Sequence, residues 1–265
     1  MDIRSKIAGL IFCVLVGCCP KKPQPSQAQY PIQEQALFQV STIDALMQGV
    51  YDGNTKLSDL AVKGDFGIGT TNSLDGELVL ENGQFFQIKA DGKVYRPTGE
   101  TKTPFASVTK FVPQDSIAIT NMDFQQLKHL VDSLMKSPNY FYAIRLEGEF
   151  ESVHTRSVPV QHKPYPKLVE VTRQQPEFTI PQTRGKLTGF YCPEFVKGVN
   201  MPGYHLHFLS DDKTTGGHLL DFKLKSGMLK LDRIRKFEMQ LPESDDFQKS
   251  EFKTDRSKEL KEAEG

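Results

Sequence analysis

The stretch that decides the fold runs from residue 203 to residue 222 and reads GYHLHFLSDDKTTGGHLLDF. A strand is predicted on each side of its polar turn at 210–217, which contains two glycines. Residues two apart on a strand point to the same face, so His205 and His207 project together. The returning strand of an antiparallel hairpin then places His218 beside His207. The pattern therefore predicts three converging imidazoles.

These three histidines are a candidate metal site. Three neutral imidazoles suit Zn²⁺ and leave a fourth position for water or substrate, as is typical of catalytic sites. Two alternatives remain at this point: a pair of exposed strand histidines with an unrelated third, or a cupin-like site. Cupins also use His-x-His on a strand, but they expect a glutamate a few residues later and a distant fourth ligand. Asp211 stands at that place here, and the third histidine follows a short turn.

The chain before this stretch also favours strands. The segments ELVLE (77–81), QFFQIK (84–89) and KVYR (93–96) alternate with a period of two. They are joined by Asn-Gly at 82–83 and Asp-Gly at 91–92, which tolerate the positive φ of tight hairpin turns. A β-meander is therefore predicted.

Two helices are predicted. The segment 41–49 has a capping residue and an i, i+3, i+4 apolar face. The segment 123–136 has a longer apolar stripe at helical spacing, which indicates packing against the core rather than a cofactor site.

Composition excludes several classes of protein. The 265 residues carry 33 basic and 33 acidic side chains, which argues against a nucleic-acid partner, since such proteins show a basic excess. The 18 Phe and 8 Tyr argue against a disordered chain. Of four cysteines only Cys192 lies in the body, which excludes a disulfide scaffold and a cysteine-rich zinc finger.

The first residues predict export. Residues 1–17 have a basic start and an apolar run of about ten residues, too short to span a bilayer and typical of a signal peptide. The window LVGC at 15–18 resembles the bacterial lipobox, so we expect a lipid on Cys18 that anchors the protein to the periplasmic or extracellular face of a membrane. An Asp directly after the lipidated cysteine often signals retention in the inner membrane. Cys19 stands at this place, so an outer membrane is favoured.

The chain is predicted to divide into five parts. They are a lipoprotein signal peptide (1–17), a Pro/Gln-rich tether (18–38), an N-terminal β-rich domain with one main helix (39–175), a C-terminal antiparallel β domain that carries the metal site (176–247) and a polar tail (248–265) that folds back on the site.

Five blocks of the sequence resemble the bacterial α-acetolactate decarboxylase family, over residues 57–247. In chain order they are GDFGIGTTNSLDGELVLENG (64–83), HTRSVPVQHKPY (154–165), RGKLTGF (184–190), GYHLHFLSDDKTTGGH (203–218) and LPESDDF (241–247). The resemblance implies a β-rich α+β fold of two domains built on mixed and antiparallel sheets, with a metal pocket between them. Related proteins are commonly dimers, which implies a homodimer here.

The resemblance also implies a reaction. Members convert 2-acetolactate, a 2-hydroxy-3-keto acid, into acetoin and CO₂. A zinc ion acts there as a Lewis acid that stabilises the enediolate left by CO₂, and no organic cofactor is needed. Two rivals remain: a cupin-like metalloenzyme on the same hairpin, and a surface lipoprotein that binds ligands without activity.

Site residues carry over from the family position by position. Arg156 matches an active-site arginine that orients a carboxylate or stabilises the enediolate. Glu77 matches a glutamate that delivers or relays a proton. Thr70 matches a pocket threonine. The family also brings a glutamate from the C-terminal tail to the metal; Glu264 is the best candidate and Glu262 its rival.

Overall fold

The computed structural model describes residues 35–264. The predicted signal peptide, the lipidation residue Cys18 and most of the tether lie outside these residues. The strands are β1 (Ala36–Val40), β2 (Thr55–Lys56), β3 (Phe66–Thr70), β4 (Glu77–Glu81), β5 (Gln84–Ile88), β6 (Val94–Tyr95), β7 (Lys102–Thr103), β8 (Ala106–Thr109), β9 (Asp115–Asp123), β10 (Phe141–Arg156), β11 (Glu177–Cys192), β12 (Gly203–Ser210), β13 (Gly216–Ile234) and β14 (Lys236–Gln240). The helices are α1 (Ile43–Met47), α2 (Leu57–Ala61), α3 (Phe124–Leu134), α4 (Leu168–Thr172), α5 (Asp245–Lys249) and α6 (Ser257–Glu264), with 3₁₀ turns at Asn72–Leu74 and Glu194–Val196.

One sheet has seven strands in the order β14-β1-β8-β3-β4-β5-β6. Its β1 and β14 are parallel, and its other pairs are antiparallel. Asn82 and Gly83 have φ of 50° and 75°, the positive values that a tight hairpin turn between β4 and β5 requires. The meander predicted from the alternating segments is therefore confirmed.

The predicted tether ends earlier than expected. Residues 18–38 were assigned to it by their Pro/Gln-rich composition, but Ala36–Phe38 belong to β1 and the Leu37 side chain is fully buried. The prediction is wrong for these three residues. The backbone after the last proline of this segment pairs with two neighbouring strands, and the apolar side chains there are buried in the core.

The other large sheet has five antiparallel strands in the order β10-β11-β12-β13-β9. Strand β13 also pairs with β10, so β10, β11, β12 and β13 close into a ring. Closure gives each of these four strands a neighbour on both sides, whereas β9 pairs with β13 alone among the described strands. Together, the parallel pair in one sheet and the antiparallel ring in the other confirm a β-rich α+β fold with mixed and antiparallel sheets.

The two sheets do not follow the predicted division at residue 175. Strands β10 and β11, on either side of that position, are hydrogen-bonded neighbours along 141–156 and 177–192. Strand β14 returns to pair with β1 at the other end of the chain. Side chains of both sheets share one apolar cluster, which includes Leu37, Ile68, Ala143 and Phe190. Local periodicity identifies strands, but their partners depend on such distant contacts.

The main helix forms as predicted. Asp123 caps α3 by accepting a hydrogen bond from the Gln126 backbone N–H at 2.8 Å, and the Gln126 side chain accepts one from the Asp123 N–H at 2.9 Å. This capping box satisfies two backbone donors at the helix start. Leu127 and Val131 of the apolar stripe are fully buried against the five-stranded sheet.

The polar tail folds back onto the body. It forms α6, whose Leu260 and Ala263 are buried in a cluster with side chains of α1 and α4, including Ile43 and Leu168. An amphipathic helix is stabilised by such packing rather than by its own length. No helix among residues 35–264 is both long enough and apolar enough to cross a membrane.

Candidate active site

The three histidines converge as the sequence pattern predicted. His205 and His207 lie on one face of β12, and His218 on β13 is the direct cross-strand partner of His207. Their ring centroids are 5.0 to 5.4 Å apart, and one nitrogen of each ring lies within 4.8 Å of the others. All three are buried. The spacing of this histidine group and its nitrogen donors therefore suit one metal ion.

Burial keeps these imidazoles neutral. Desolvation, together with the positive Arg156, lowers the pKa of His205 to about 3. Desolvation also lowers the pKa of His207 and of His218 well below the usual value. A neutral imidazole has a free lone pair, which is the form that binds a metal.

His207 shows how one ring is oriented. Its Nδ1 lies 3.1 Å from the Leu78 carbonyl oxygen, which can only accept, so Nδ1 carries the proton and donates. Its Nε2 is buried without a hydrogen-bond partner. A backbone carbonyl behind a ligating histidine fixes the tautomer, and the orphaned nitrogen fits a metal ligand.

Glu77 lies beside this ring. It begins β4, and its Oε2 is 3.5 Å from His207 Nε2. The pKa of Glu77 is raised to about 8, chiefly by burial; Arg156 and a hydrogen bond from the Val158 backbone oppose this shift, and the negative Glu264 adds to it. The carboxyl group is therefore protonated at neutral pH and has a proton to give.

Arg156 is the cation of the site. It ends β10 opposite His218, and its terminal nitrogen is 3.2 Å from His218 Nε2 and 3.3 Å from Glu264 Oε2. Its Nε is buried without a hydrogen-bond partner. The guanidinium therefore keeps one donor free for a substrate oxygen.

The structure brings Glu264, and not Glu262, to the histidines. Glu264 Oε2 lies 3.6 Å from His218 Nδ1 and 3.9 Å from His205 Nε2. Burial raises the pKa of Glu264, and the neighbouring Arg156 lowers it. Glu262 points elsewhere and pairs with Arg173 at 2.6 Å on the surface. Two residues apart on a helix are on nearly opposite sides, so only one of them can face the site.

Thr70 lies at the end of β3, buried, and lines the cavity with the histidines. Its hydroxyl donates to the Gly76 carbonyl at 2.7 Å, so its proton is used within the protein. The cavity has a volume of about 40 Å³. Both sheets line it, Thr70 and Glu77 from one and the histidines and Arg156 from the other.

Comparison with known proteins identifies the family of this chain. Residues 37–254 match the family model described as alpha-acetolactate decarboxylase. The chain belongs to this family. The alpha-acetolactate decarboxylase of Brevibacillus brevis is 40% identical over 93% of this chain and 90% of its own length. That of Methylococcus capsulatus is 45% identical over 88% of this chain and 90% of its own length.

A solved structure agrees in fold with this family member. The crystal structure of alpha-acetolactate decarboxylase from Bacillus subtilis strain 168 superposes with a TM-score of 0.85 at 36% identity. It covers 87% of this chain and 99% of its own. Glu264 lies beyond the residues matched by the family model, so its position at the site rests on the docking of α6.

Sequence reasoning missed the apolar wall of the cavity in this family member. Ile43 and Leu46 of α1, Phe105 before β8, Val158 after β10 and Leu168 of α4 line it opposite the histidines. They come from four distant segments, and each looks like ordinary core in its own segment. Only the tertiary contacts among these elements could have identified them.

Proposed function

We propose that this protein is an acetolactate decarboxylase that converts 2-acetolactate into acetoin and CO₂. The observation that supports it is the convergence of a neutral histidine group, a buried arginine and a protonated glutamate on one cavity, in a chain of this family. Loss of CO₂ leaves an electron pair on the substrate, and one proton must then be added to carbon.

His205, His207 and His218 would hold a zinc ion. Their neutrality, their spacing and the unpartnered Nε2 of His207 fit this ion. When bound, zinc supplies Lewis acidity that stabilises the negative charge developing on the substrate oxygens. A buried site strengthens such charge stabilisation because water does not screen it.

Arg156 orients the substrate. Its unpartnered Nε and its terminal nitrogens form the fork geometry that suits a carboxylate or a pair of oxygens. The same charge stabilises the anion once CO₂ has left. Glu264, 3.3 Å away, fixes the guanidinium and balances its charge.

Glu77 gives the proton. Its carboxyl is held protonated by burial, beside the histidine group, so it can donate to the carbon that has lost CO₂ and regain a proton from solvent afterwards. Thr70, whose hydroxyl is held by Gly76, shapes the wall beside it.

Acetoin release from racemic 2-acetolactate by protein lacking residues 1–18, with and without a zinc chelator, tests this function. We expect the protein to form acetoin, the chelator to abolish this activity, and added zinc to restore it. The variant H207A should lose zinc and activity, whereas H154A, at an exposed histidine paired with Glu177 on the surface, should retain both. Folded, zinc-loaded protein that releases no acetoin would contradict the proposal and favour the ligand-binding lipoprotein.

The membrane anchor is a separate proposal. It rests on the lipobox-like window at 15–18, outside the described residues. Radiolabelled palmitate should label the wild type in bacterial cells, and C18S should be unlabelled and leave the membrane fraction. A wild type that stays unlabelled in the cytosol with its leader intact would contradict it.

A further inference from the structure

The cavity at the histidine group is smaller than the proposed substrate. Its volume of about 40 Å³ suffices for a few waters, since one water needs roughly 10–15 Å³ of such space. A branched five-carbon acid needs considerably more. The substrate must therefore use space that adjoins this cavity.

A second cavity adjoins it. This outer cavity, of about 220 Å³, lies between α3, β12 and β13. Its lining shares two residues with that of the histidine cavity, His218 and Glu264. Their side chains therefore form the wall between the two spaces. Its volume is large enough for a small organic acid.

The lining of the outer cavity combines apolar and polar side chains in about equal parts. Phe124, Leu219 and Leu220 supply apolar surface, and Lys128 of α3 is the one lysine or arginine among its described lining residues. The Lys128 ammonium lies 4.6 Å from the Phe124 ring centroid and forms no salt bridge within residues 35–264. Glu264 supplies a carboxylate to the same lining, but no ion pair joins it to Lys128, so the ammonium charge is available to an incoming anion.

The wall beside Lys128 is held rigidly. Tyr204 of β12 donates to the Asp132 carboxylate at 2.5 Å, and its hydroxyl oxygen lies 3.1 Å from the Lys128 backbone carbonyl oxygen. These contacts tie α3 to the strand that carries His205 and His207. The position of Lys128 relative to the histidine group is therefore fixed by the fold.

The opposite wall is formed by the end of a short helix with few contacts to the body. Glu264 ends α6, which docks through two buried apolar side chains, Leu260 and Ala263, one exposed pair between Glu262 and Arg173, and the pair of Glu264 itself with Arg156. An exposed pair of this kind contributes only about 0–1 kcal/mol. A small shift of this helix end would join the two cavities.

We infer that the outer cavity is the capture site for a small carboxylate anion, that Lys128 positions this anion, and that it reaches the histidines when Glu264 moves aside. The inference rests on the proposed function, since the anion is the substrate carboxylate. The apolar side chains of the lining, Phe124, Leu219 and Leu220, suit the methyl groups of the substrate and the neutral product.

Lys128 variants provide the first test. K128M keeps a similar chain length but removes the charge, and with it the contact of the ammonium with the Phe124 ring. We expect kcat/KM to fall about tenfold through KM, with kcat within about twofold of wild type and a flatter dependence on ionic strength. K128R should restore most of the loss. The control K136M, at a lysine beyond the end of α3, should match wild type.

A block of the outer cavity provides the second test. L220W adds bulk to its lining, whereas M228W adds the same bulk at an exposed position on the same strand. We expect KM to rise about tenfold for L220W, with zinc content unchanged, and no change for M228W. An active wild type whose kinetics survive both K128M and L220W would overturn the capture site alone. A wild type that makes no acetoin would instead overturn the proposed function, and this inference with it.

Discussion

Two clusters of buried charge lie on the same pair of strands and differ in how their charges are matched. Strand β4 carries Glu81 at one end and Glu77 at the other, and β10 carries Arg145 and Arg156. Glu81 accepts from Arg145 at 3.1 Å and from Lys186 at 2.9 Å. Glu77 has no such cation within 4 Å in the described part of the chain and faces His207 instead.

The difference separates structural charge from reactive charge. In the matched cluster the Glu81 carboxylate is neutralised by Arg145 and Lys186, as buried ions must be to offset desolvation. The Nε of Arg145 is buried without a hydrogen-bond partner, as is that of Arg156, so the two arginines do not differ in this respect. The site cluster of Glu77, Arg156, Glu264 and the histidine group differs in that it keeps a proton on Glu77 and leaves the Nε2 acceptor of His207 without a partner. Unpaired groups of this kind are what a substrate or metal can use.

The largest expected effect is on catalysis, from E77Q. Glutamine keeps the shape and the neutral charge of the protonated carboxyl but has no acidic proton. We expect kcat to fall about 10²- to 10⁴-fold, while zinc content and the free energy of unfolding stay near wild type. Acetoin assays with saturating substrate check this. A kcat within threefold of wild type would show that the proton comes from elsewhere.

The variant E81Q should have the opposite profile. It leaves Arg145 and Lys186 without their carboxylate, and removal of one partner of a buried pair lowers the free energy of unfolding by about 3 kcal/mol or more. Activity per folded molecule should stay near wild type. Urea titrations and acetoin assays on the same samples distinguish the two profiles. If E81Q lost kcat but not stability, the Glu81 cluster would not have the purely structural role assigned to it.

Asp232 offers a third, intermediate case, which concerns pH. It accepts hydrogen bonds from the Val112 backbone at 2.9 Å and Gln114 at 3.2 Å, and burial raises its pKa to about 6. Between its usual value and about 6 the folded state holds a proton that the unfolded state has lost. This contribution to stability is present at low pH and is lost as pH rises through about 6.

We therefore expect the free energy of unfolding of D232N, relative to wild type, to rise by about 1–2 kcal/mol between pH 4 and pH 7. Urea titrations across this range measure it. The control D115N, at an exposed residue that begins β9, should show no such trend. A difference between D232N and wild type that stays constant with pH would show that Asp232 is ionised throughout.

The smallest expected effect is at the surface, from R173A. This variant removes the pair with Glu262 and should change the free energy of unfolding by less than about 1 kcal/mol, since both partners are half exposed. E264Q, on the same helix, should reduce activity strongly at similar stability. Equal losses of activity in R173A and E264Q would indicate that α6 acts through its docking alone.

The sequence predicted the histidine hairpin because its geometry is local. An i, i+2 pair and a short turn determine that His205, His207 and His218 converge, whatever the rest of the chain does. The helix at 124–134 and the strands around Asn82-Gly83 were predictable for the same reason.

Other features depend on distant partners. Composition assigned Ala36–Phe38 to the tether, because nothing nearby shows that β14 lies beside them. Glu262 and Glu264 have the same local surroundings in sequence, and only the buried face of α6 against α4 decides between them. The boundary proposed at 175 likewise ignored the pairing of β10 with β11.

The parallel pair of β1 and β14 has a consequence for the order of folding. Ala36 is opposite Lys236, so the outer edge of β1 stays unpaired until about 200 further residues have been synthesised. Contacts of such high sequence separation slow folding, and an uncovered strand edge attracts other chains in the meantime. A ribosome-bound or partly translocated chain would therefore expose this edge longest, and a chaperone that shields residues 36–40 would protect it until synthesis reaches β14.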